Sequence, residues 1–314
     1  MARYLVTGGG GFIGSNLVEA LLAQGEFVRV LDNFSTGRRS NLQAFARDIE
    51  LIEGDLRSYH VVAKAVQGID FVLHQAALPS VPRSIADPIT TNEVNVMGSL
   101  NLFHASVEAR VKRIVYAGSS SVYGDTPVSP KHEGLTPNPK SPYAVSKLAV
   151  EHYAGVFYQL YGLETVGLRY FNVFGPRQDP NSQYSAVIPK FLRAMKHGLA
   201  PTVHGDGLQS RDFTYVANNV AANLLACQAP GVAGRVYNIA CGDNHSLLDL
   251  IGLFNKLMGT AIAPQFLDAR PGDILHSTAD ISRAKAELGY QPTVGFEEGL
   301  ALLLERFEVE RVGA

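Results

Sequence analysis

The chain has 314 residues, 46% hydrophobic and 18% charged, with a formal net charge of −2. That length and apolar content suit one large domain or two smaller ones with real cores, and the near-neutral balance excludes the basic face that nucleic-acid binding needs. No apolar run approaches the roughly 18–20 residues of a membrane span, and the two cysteines, Cys227 and Cys241, are too few for a disulfide framework and suit a reducing compartment.

The N-terminus MARYLVTGGGG enters a strand pattern within a few residues. It leaves no room for a signal peptide and predicts a cytoplasmic protein without a membrane partner. Strands are predicted at 3–7, 26–32, 50–54, 70–76 and 112–118, each short, rich in Val, Ile, Leu and Tyr, and bounded by turn residues or charge. Helical patterns at 12–24, 58–67 and 93–109 lie between them. Strands this apolar are covered on both faces, as in parallel sheets. The alternation therefore predicts an α/β fold, a Rossmann-type doubly wound parallel sheet, over residues 1–175. After about residue 175 the polar stretch FGPRQDPNSQY (174–184) and the loop signals VHGDG (203–207), GDNHS (242–246) and RPGD (270–273) change the texture. They predict a smaller C-terminal α/β region over 176–314, with a strand at 235–240 and later elements returning to the first domain.

YLVTGGGGFIGSNL places Gly8-x-x-Gly11-x-x-Gly14 between the first strand and the first helix. Glycines there allow a tight turn and let the backbone approach a pyrophosphate at the helix N-terminus. The spacing is not GxGxxG, but Asp32 closes the next strand, where an acid can bind the adenosine ribose hydroxyls. A carboxylate there repels a 2′-phosphate and favours NAD, with Arg38 and Arg39 close enough to keep NADP as the alternative. GDL (54–56) ends the third strand as a wall for the adenine.

SPYAVSK (141–147) sets Tyr143 four residues before Lys147, one helical turn apart on a single face. A phenol beside an ammonium ion loses its proton more easily. The pair is either a proton-transfer device or an ordinary surface pair, and these seven residues leave both open.

TGGGGFIG, AGSSSVYG (117–124) and Tyr143-x-x-x-Lys147 together resemble the extended short-chain dehydrogenase/reductase family. HQAALPSVPRSIADP (74–88), RYFNVFGPRQDP (169–180), GDGLQSRDFTYV (205–216) and RPGD (270–273) are similar to the nucleotide-sugar 4-epimerases, nearest the UDP-N-acetylglucosamine 4-epimerase branch. Nearly the whole chain takes part. The resemblance implies NAD as cofactor, a UDP-sugar as substrate, and no metal. It also implies a homodimer paired through the helices near 93–109 and 143–161, whose apolar residues extend beyond one core-facing stripe.

The family's roles carry over residue by residue. Tyr143 is implied as the acid/base that takes the 4-hydroxyl proton while hydride leaves C4, its phenolate favoured by Lys147 and the positive nicotinamide. Lys147 also holds the nicotinamide ribose, and Ser119 bonds the sugar 4-oxygen. Cofactor contacts fall on Gly8, Gly11, Phe12, Ile13 and Gly14; on Asp32, Asn33, Ser35 and Gly37; on Asp55 and Leu56; on Gln75, Ala76 and Ala77; and on Asn95, Tyr143, Lys147 and Tyr170. His74 is either structural or lines the cofactor. Substrate contacts fall on Ser120, Ser121, Asn172, Val187, Arg211, Arg270, Asp273 and Ser277, with Arg211 and Arg270 on the diphosphate. Ser277 stands where members that handle only plain hexoses carry tyrosine, so it leaves room for an N-acetyl group. ANNV (217–220) departs from the family, which usually carries an acid there.

The resemblance thus implies 4-epimerisation of UDP-glucose/UDP-galactose and of UDP-N-acetylglucosamine/UDP-N-acetylgalactosamine through a transient 4-keto sugar. Related dehydratases carry Asp-Glu after the Ser/Thr, and decarboxylases often carry Glu nearby; here those positions are Ser120 and Ser121. The alternatives are a UDP-sugar decarboxylase or dehydratase, or a non-catalytic NAD-sensing regulator.

Overall fold

In the computed structural model, which describes residues 1–179, 187–269 and 275–312, strand β1 (Arg3–Thr7) passes through the glycine turn into α1 (Phe12–Ala23). A Cβ on Gly14 would lie 2.1 Å from the Gly8 carbonyl oxygen, and one on Gly8, at φ +71°, 2.7 Å from the Ala76 backbone. No side chain fits at this junction, so glycine lets helix and strands meet.

β2 (Phe27–Asp32), β3 (Ile49–Glu53), α2 (Tyr59–Ala65) and β4 (Phe71–His74) follow, then α3 (Val81–Ala86) and α4 (Pro88–Asn92). A wide helical turn over Glu93–Met97 leads into α5 (Gly98–Glu108), so the helix expected at 93–109 has two parts. β5 (Arg113–Ser119) precedes α6 (Pro142–Tyr161). Ser141 caps α6 by accepting from Ala144 N, Pro142 occupies its first turn, and Gly162 at φ +69° ends it. β6 (Glu164–Tyr170), which the apolar pattern alone did not single out, and the short β7 (Val173–Phe174) complete the first half.

The second half holds α7 (Val187–Lys196), β8 (Thr202–His204), β9 (Ser210–Arg211), β10 (Thr214–Tyr215), α8 (Val216–Gln228) and β11 (Arg235–Ile239). β12 (His245–Ser246), α9 (Leu247–Met258), β13 (Gln265–Leu267), β14 (His276–Ser277), α10 (Ser282–Leu288) and α11 (Phe296–Val312) close it.

Seven strands form one parallel sheet in the order β11-β6-β5-β4-β1-β2-β3. Alternate residues feed opposite cores: Tyr4 and Val6 of β1 join one, Leu5 the other. Both faces are therefore covered, which explains the unbroken apolar strands. A third core gathers Phe174 of β7 with Phe191, Phe254 and Phe296 from the C-terminal elements. β11 returns from the second half to the edge of the main sheet, and α8 packs on α1. Asn218 of ANNV is fully buried; its Oδ1 accepts from Thr293 N and Val294 N, so an amide does the local tethering. Among the described residues no helix is long and apolar enough to cross a membrane.

Candidate active site

Strand order reverses between β1 and β4, and a parallel sheet opens a crevice at the carboxyl ends of its strands at such a point. A cavity of about 770 Å³ lies there. Its floor is the glycine turn, with Gly8, Gly11, Phe12, Ile13 and Gly14 on the wall. Asp32, Asn33, Ser35 and Gly37 line it after β2, and Leu56 after β3. Gln75, Ala76 and Ala77 line it after β4, and Ser119, Tyr143, Lys147, Tyr170 and Asn172 close the far side. These residues come from six strand ends and two helices, yet share one wall.

Asp32 is buried, and its two carboxylate oxygens accept from Gly10 N at 2.8 Å and Phe34 N at 2.7 Å. Burial raises its pKa above the ordinary value, against the two N–H bonds. Arg38 pairs with Asp179 at 2.6 Å and Arg39 with Glu53 at 2.6 Å, so carboxylates engage both cations considered for a 2′-phosphate.

Around the catalytic candidates the polar groups interlock. Ser119 Oγ lies 2.8 Å from Ser121 Oγ and accepts from Ser121 N. Lys147 Nζ donates to Ala117 O at 2.9 Å and sits 5.9 Å from the Tyr143 ring centre. The expectation that Lys147 lowers the Tyr143 pKa needs correction. Burial raises it, and the opposing group is a hydrogen bond with Ser119. The protein's own groups hold Tyr143 as the phenol. Tyr170 Oη donates to Gln75 Oε1 at 3.2 Å and accepts from Asn223 Nδ2 at 2.7 Å, while Gln75 Nε2 donates to Asn223 Oδ1 at 3.1 Å, closing a triangle.

Several expected contacts lie off the wall. Asp55 turns aside: hydrogen bonds from the Arg57 guanidinium and N–H and from Asn33 Nδ2 occupy it and hold its pKa down to about 2. Asn95 is buried behind the wall, where it accepts from Leu78 N at 2.7 Å and donates to Ser146 Oγ at 3.0 Å. It shapes the wall through Leu78, which lines the cavity. His74 is buried between Thr7 Oγ1 at 2.7 Å and Ser99 Oγ at 2.8 Å; burial, then the charge of Lys147, push its pKa down to about 3. It is a neutral, structural histidine.

Ser120, Ser121 and Val187 also stay off the wall, and Val187 packs against the C-terminal core. Arg211 and Ser277 face each other in register across β9 and β14, with Ser277 buried. Neither lines this cavity. Arg270 and Asp273 lie outside the described residues.

The cavity also recruits residues that motif reading passed over, among them Ser80, Arg83, Arg177 and Gln178. Their segments, PSVPRS and FGPRQ, carried the resemblance without residue roles. Arg177 Nη2 donates to Asn16 Oδ1 and to Glu19 Oε2, pinning the segment after β7 to α1. Ser80, Asn172 and Arg177 line the wall at φ +110°, +34° and +67°, so strained backbone clusters at the site, as functional sites often show.

The NAD dependent epimerase/dehydratase family matches residues 4–240. UDP-glucose 4-epimerase of Mycolicibacterium smegmatis is 36% identical over 97% of this chain and 98% of its own length. A solved UDP-N-acetylglucosamine 4-epimerase from Methanobrevibacter ruminantium, in complex with UDP-N-acetylmuramic acid, is 40% identical with a TM-score of 0.94, covering 98% of this chain and 99% of that one. A Thermus thermophilus UDP-glucose 4-epimerase in complex with NAD is 39% identical with a TM-score of 0.88, covering 98% of this chain and 99% of that one. The glycine cradle, where a Cβ on Gly8 or Gly14 would strike backbone, and Asp32 on the cavity wall fit a dinucleotide. The chain belongs to the NAD dependent epimerase/dehydratase family.

Proposed function

We propose that this protein is a UDP-hexose 4-epimerase that works through a transient 4-keto sugar. We further propose that it accepts both UDP-glucose/UDP-galactose and UDP-N-acetylglucosamine/UDP-N-acetylgalactosamine, as a homodimer in the cytoplasm. The observation that carries this reading is Ser119, Tyr143 and Lys147 lining one cavity with the glycine turn and Asp32. Bound NAD supplies the hydride acceptor and donor, together with a positive ring that favours phenolate.

The chain's residues do the rest. Tyr143 takes the proton from the 4-hydroxyl and returns it after the ketone presents its other face. Ser119, which lines the same cavity as Tyr143, donates to the 4-oxygen as the carbonyl forms. Lys147 holds the cofactor ribose from its anchor on Ala117. Arg211 binds the diphosphate and, opposite it, Ser277 leaves space for the N-acetyl group. The decarboxylase and dehydratase readings lack a carboxylate at Ser120 and Ser121 to move the extra protons. Dimerisation draws support from Val145, Val156 and Leu160, which α6 exposes at 52%, 44% and 71%, beside Ile89 of α4 at 72%.

The test is purified protein mixed separately with UDP-glucose and UDP-N-acetylglucosamine, without and then with added NAD, resolved by anion exchange. Conversion of both to their 4-epimers is expected. Conversion of neither, with NAD present, overturns the reading, and a monomeric mass by light scattering overturns the dimer.

A further inference from the structure

Arg169 and Glu151 form an ion pair with Nε to Oε1 at 3.0 Å and Nη2 to Oε2 at 2.6 Å. Both side chains are only 6% exposed. The other buried arginines, Arg29, Arg113 and Arg177, pair with carboxylates that are 45%, 43% and 37% exposed. Among the described residues this is therefore the ion pair buried at both ends. Such a pair is a poor source of stability, because desolvation of two charges offsets their attraction and a hydrophobic replacement is often as stable. Its placement suggests a different role.

Glu151 lies one helical turn beyond Lys147 on α6, the helix that also carries Tyr143. Arg169 lies on β6 beside Gly118 of β5, one register position before the Ser119–Tyr170 pair. Its guanidinium stands 4.7 Å over the ring of Tyr123, at the end of the turn that Ser119 opens. Tyr123 Oη in turn donates to Asn238 Oδ1 at 2.6 Å on β11. One buried contact thus joins the helix of Tyr143 and Lys147 to the turn of Ser119.

We propose that Glu151 and Arg169 are positioning residues that hold Lys147 and the Ser119 turn in catalytic register. The electrostatics agree. Burial drives Lys147 down and the Glu151 carboxylate opposes it, keeping the ammonium charged. The other titratable groups around Lys147 and the pair are His74 on β4, which is neutral, Tyr143 on α6, Tyr116 on β5, Tyr123 after it, and Glu133, whose charge reaches Tyr123. Glu151 is the carboxylate among them that acts on Lys147. This inference rests on the epimerase reading for its activity arm only.

The test compares Glu151→Gln, Glu151→Asp and the double variant Glu151→Leu/Arg169→Met with the parent protein. Measurements are Tm, kcat on the UDP-sugar the parent converts, and the Lys147 titration followed by NMR of labelled lysine. Glu151→Gln is expected to lower kcat at least tenfold and move the Lys147 titration to lower pH, with Glu151→Asp partly restoring both. The double variant is expected to recover the parent Tm and remain slow. Recovery of kcat together with Tm in the double variant overturns the proposal, as does an unshifted Lys147 titration in Glu151→Gln. If Glu151→Gln does not fold, the double variant decides. If the parent converts no UDP-sugar, the epimerase reading fails separately, and the NMR titration still tests this one.

Discussion

Lys147 Nζ donates to the carbonyl of Ala117 at 2.9 Å, so the ammonium is anchored to β5 just before Ser119. The lysine is 7% exposed. Burial pulls its pKa down to about 8, with Glu151 opposing. A lowered lysine pKa means a charged group below about 8 and a neutral one above it. Activity that depends on the ammonium therefore falls as pH rises through that value, and log kcat/KM is expected to decline with unit slope on the alkaline side. A profile flat to about pH 10, near the ordinary lysine value, would remove the ammonium from the mechanism.

Tyr143→Phe removes one oxygen and leaves the ring in place. We expect kcat to drop by roughly 10²–10⁴-fold, the range general acid–base catalysis contributes. NAD should stay bound, read from cofactor absorbance after gel filtration. Full activity in this variant would exclude Tyr143 as the acid/base.

Gly14→Ala drives a Cβ to 2.1 Å from the Gly8 carbonyl oxygen, which is backbone and cannot step aside. The expected cost is about 1–3 kcal/mol or more, with loss of NAD retention. Gly155→Ala is the control. Gly155 lies within α6 with nothing near its Cβ position, and alanine there should stabilise by about 0.5–1 kcal/mol. Thermal unfolding of the two variants checks both signs, and equal Tm values would contradict the close approach.

Ser277→Tyr tests the sugar pocket. Ser277 is buried opposite Arg211 in the β9–β14 pair. A tyrosine there should reduce kcat/KM for UDP-N-acetylglucosamine by about 10–200-fold, the usual reach of size exclusion, while sparing UDP-glucose. Equal losses on both substrates would show that position 277 does not read the N-acetyl group.

Asp212 offers a stability test. Its carboxylate is fully buried and accepts from Cys241, Gly242 and Ala279 N–H groups. Burial nonetheless lifts its pKa to about 6. A raised carboxylate pKa means the folded state holds the proton more tightly than the unfolded chain. Its contribution is full below the ordinary carboxylate value and lost as pH rises through about 6. Asp212→Asn does not titrate, so relative to the parent it should gain roughly 2–3 kcal/mol between about pH 4 and 7. A pH-independent difference in denaturant unfolding would refute the shifted carboxylate.

Local chemistry made much of this protein legible. The glycine turn reads directly because only glycine tolerates the approach to Gly8 O and the Ala76 backbone. The strands of the main sheet read as apolar runs because both faces are covered, and Tyr143 and Lys147 read as one face because helical spacing is short-range. β6 was harder to see because its seven residues include Arg169 and Glu164, a charge pattern that makes sense only once Glu151 and Arg113 are beside them. Asp55 and Asn95 show the converse. Their residue types suit a cofactor contact, but the partners that claim them, Arg57 and Leu78, decide where they point. The sign of the Tyr143 shift belongs to the same class, because charge proximity was visible in the spacing and burial was not. Fold class and the shared helical face of Tyr143 and Lys147 thus follow from sequence, through sterics and periodicity that act over a few residues, while the catalytic roles proposed for Ser119, Tyr143 and Lys147 rest on the family resemblance. Which polar groups face the cavity, and which serve behind it, is set only when distant segments pack and compete for the same hydrogen bonds.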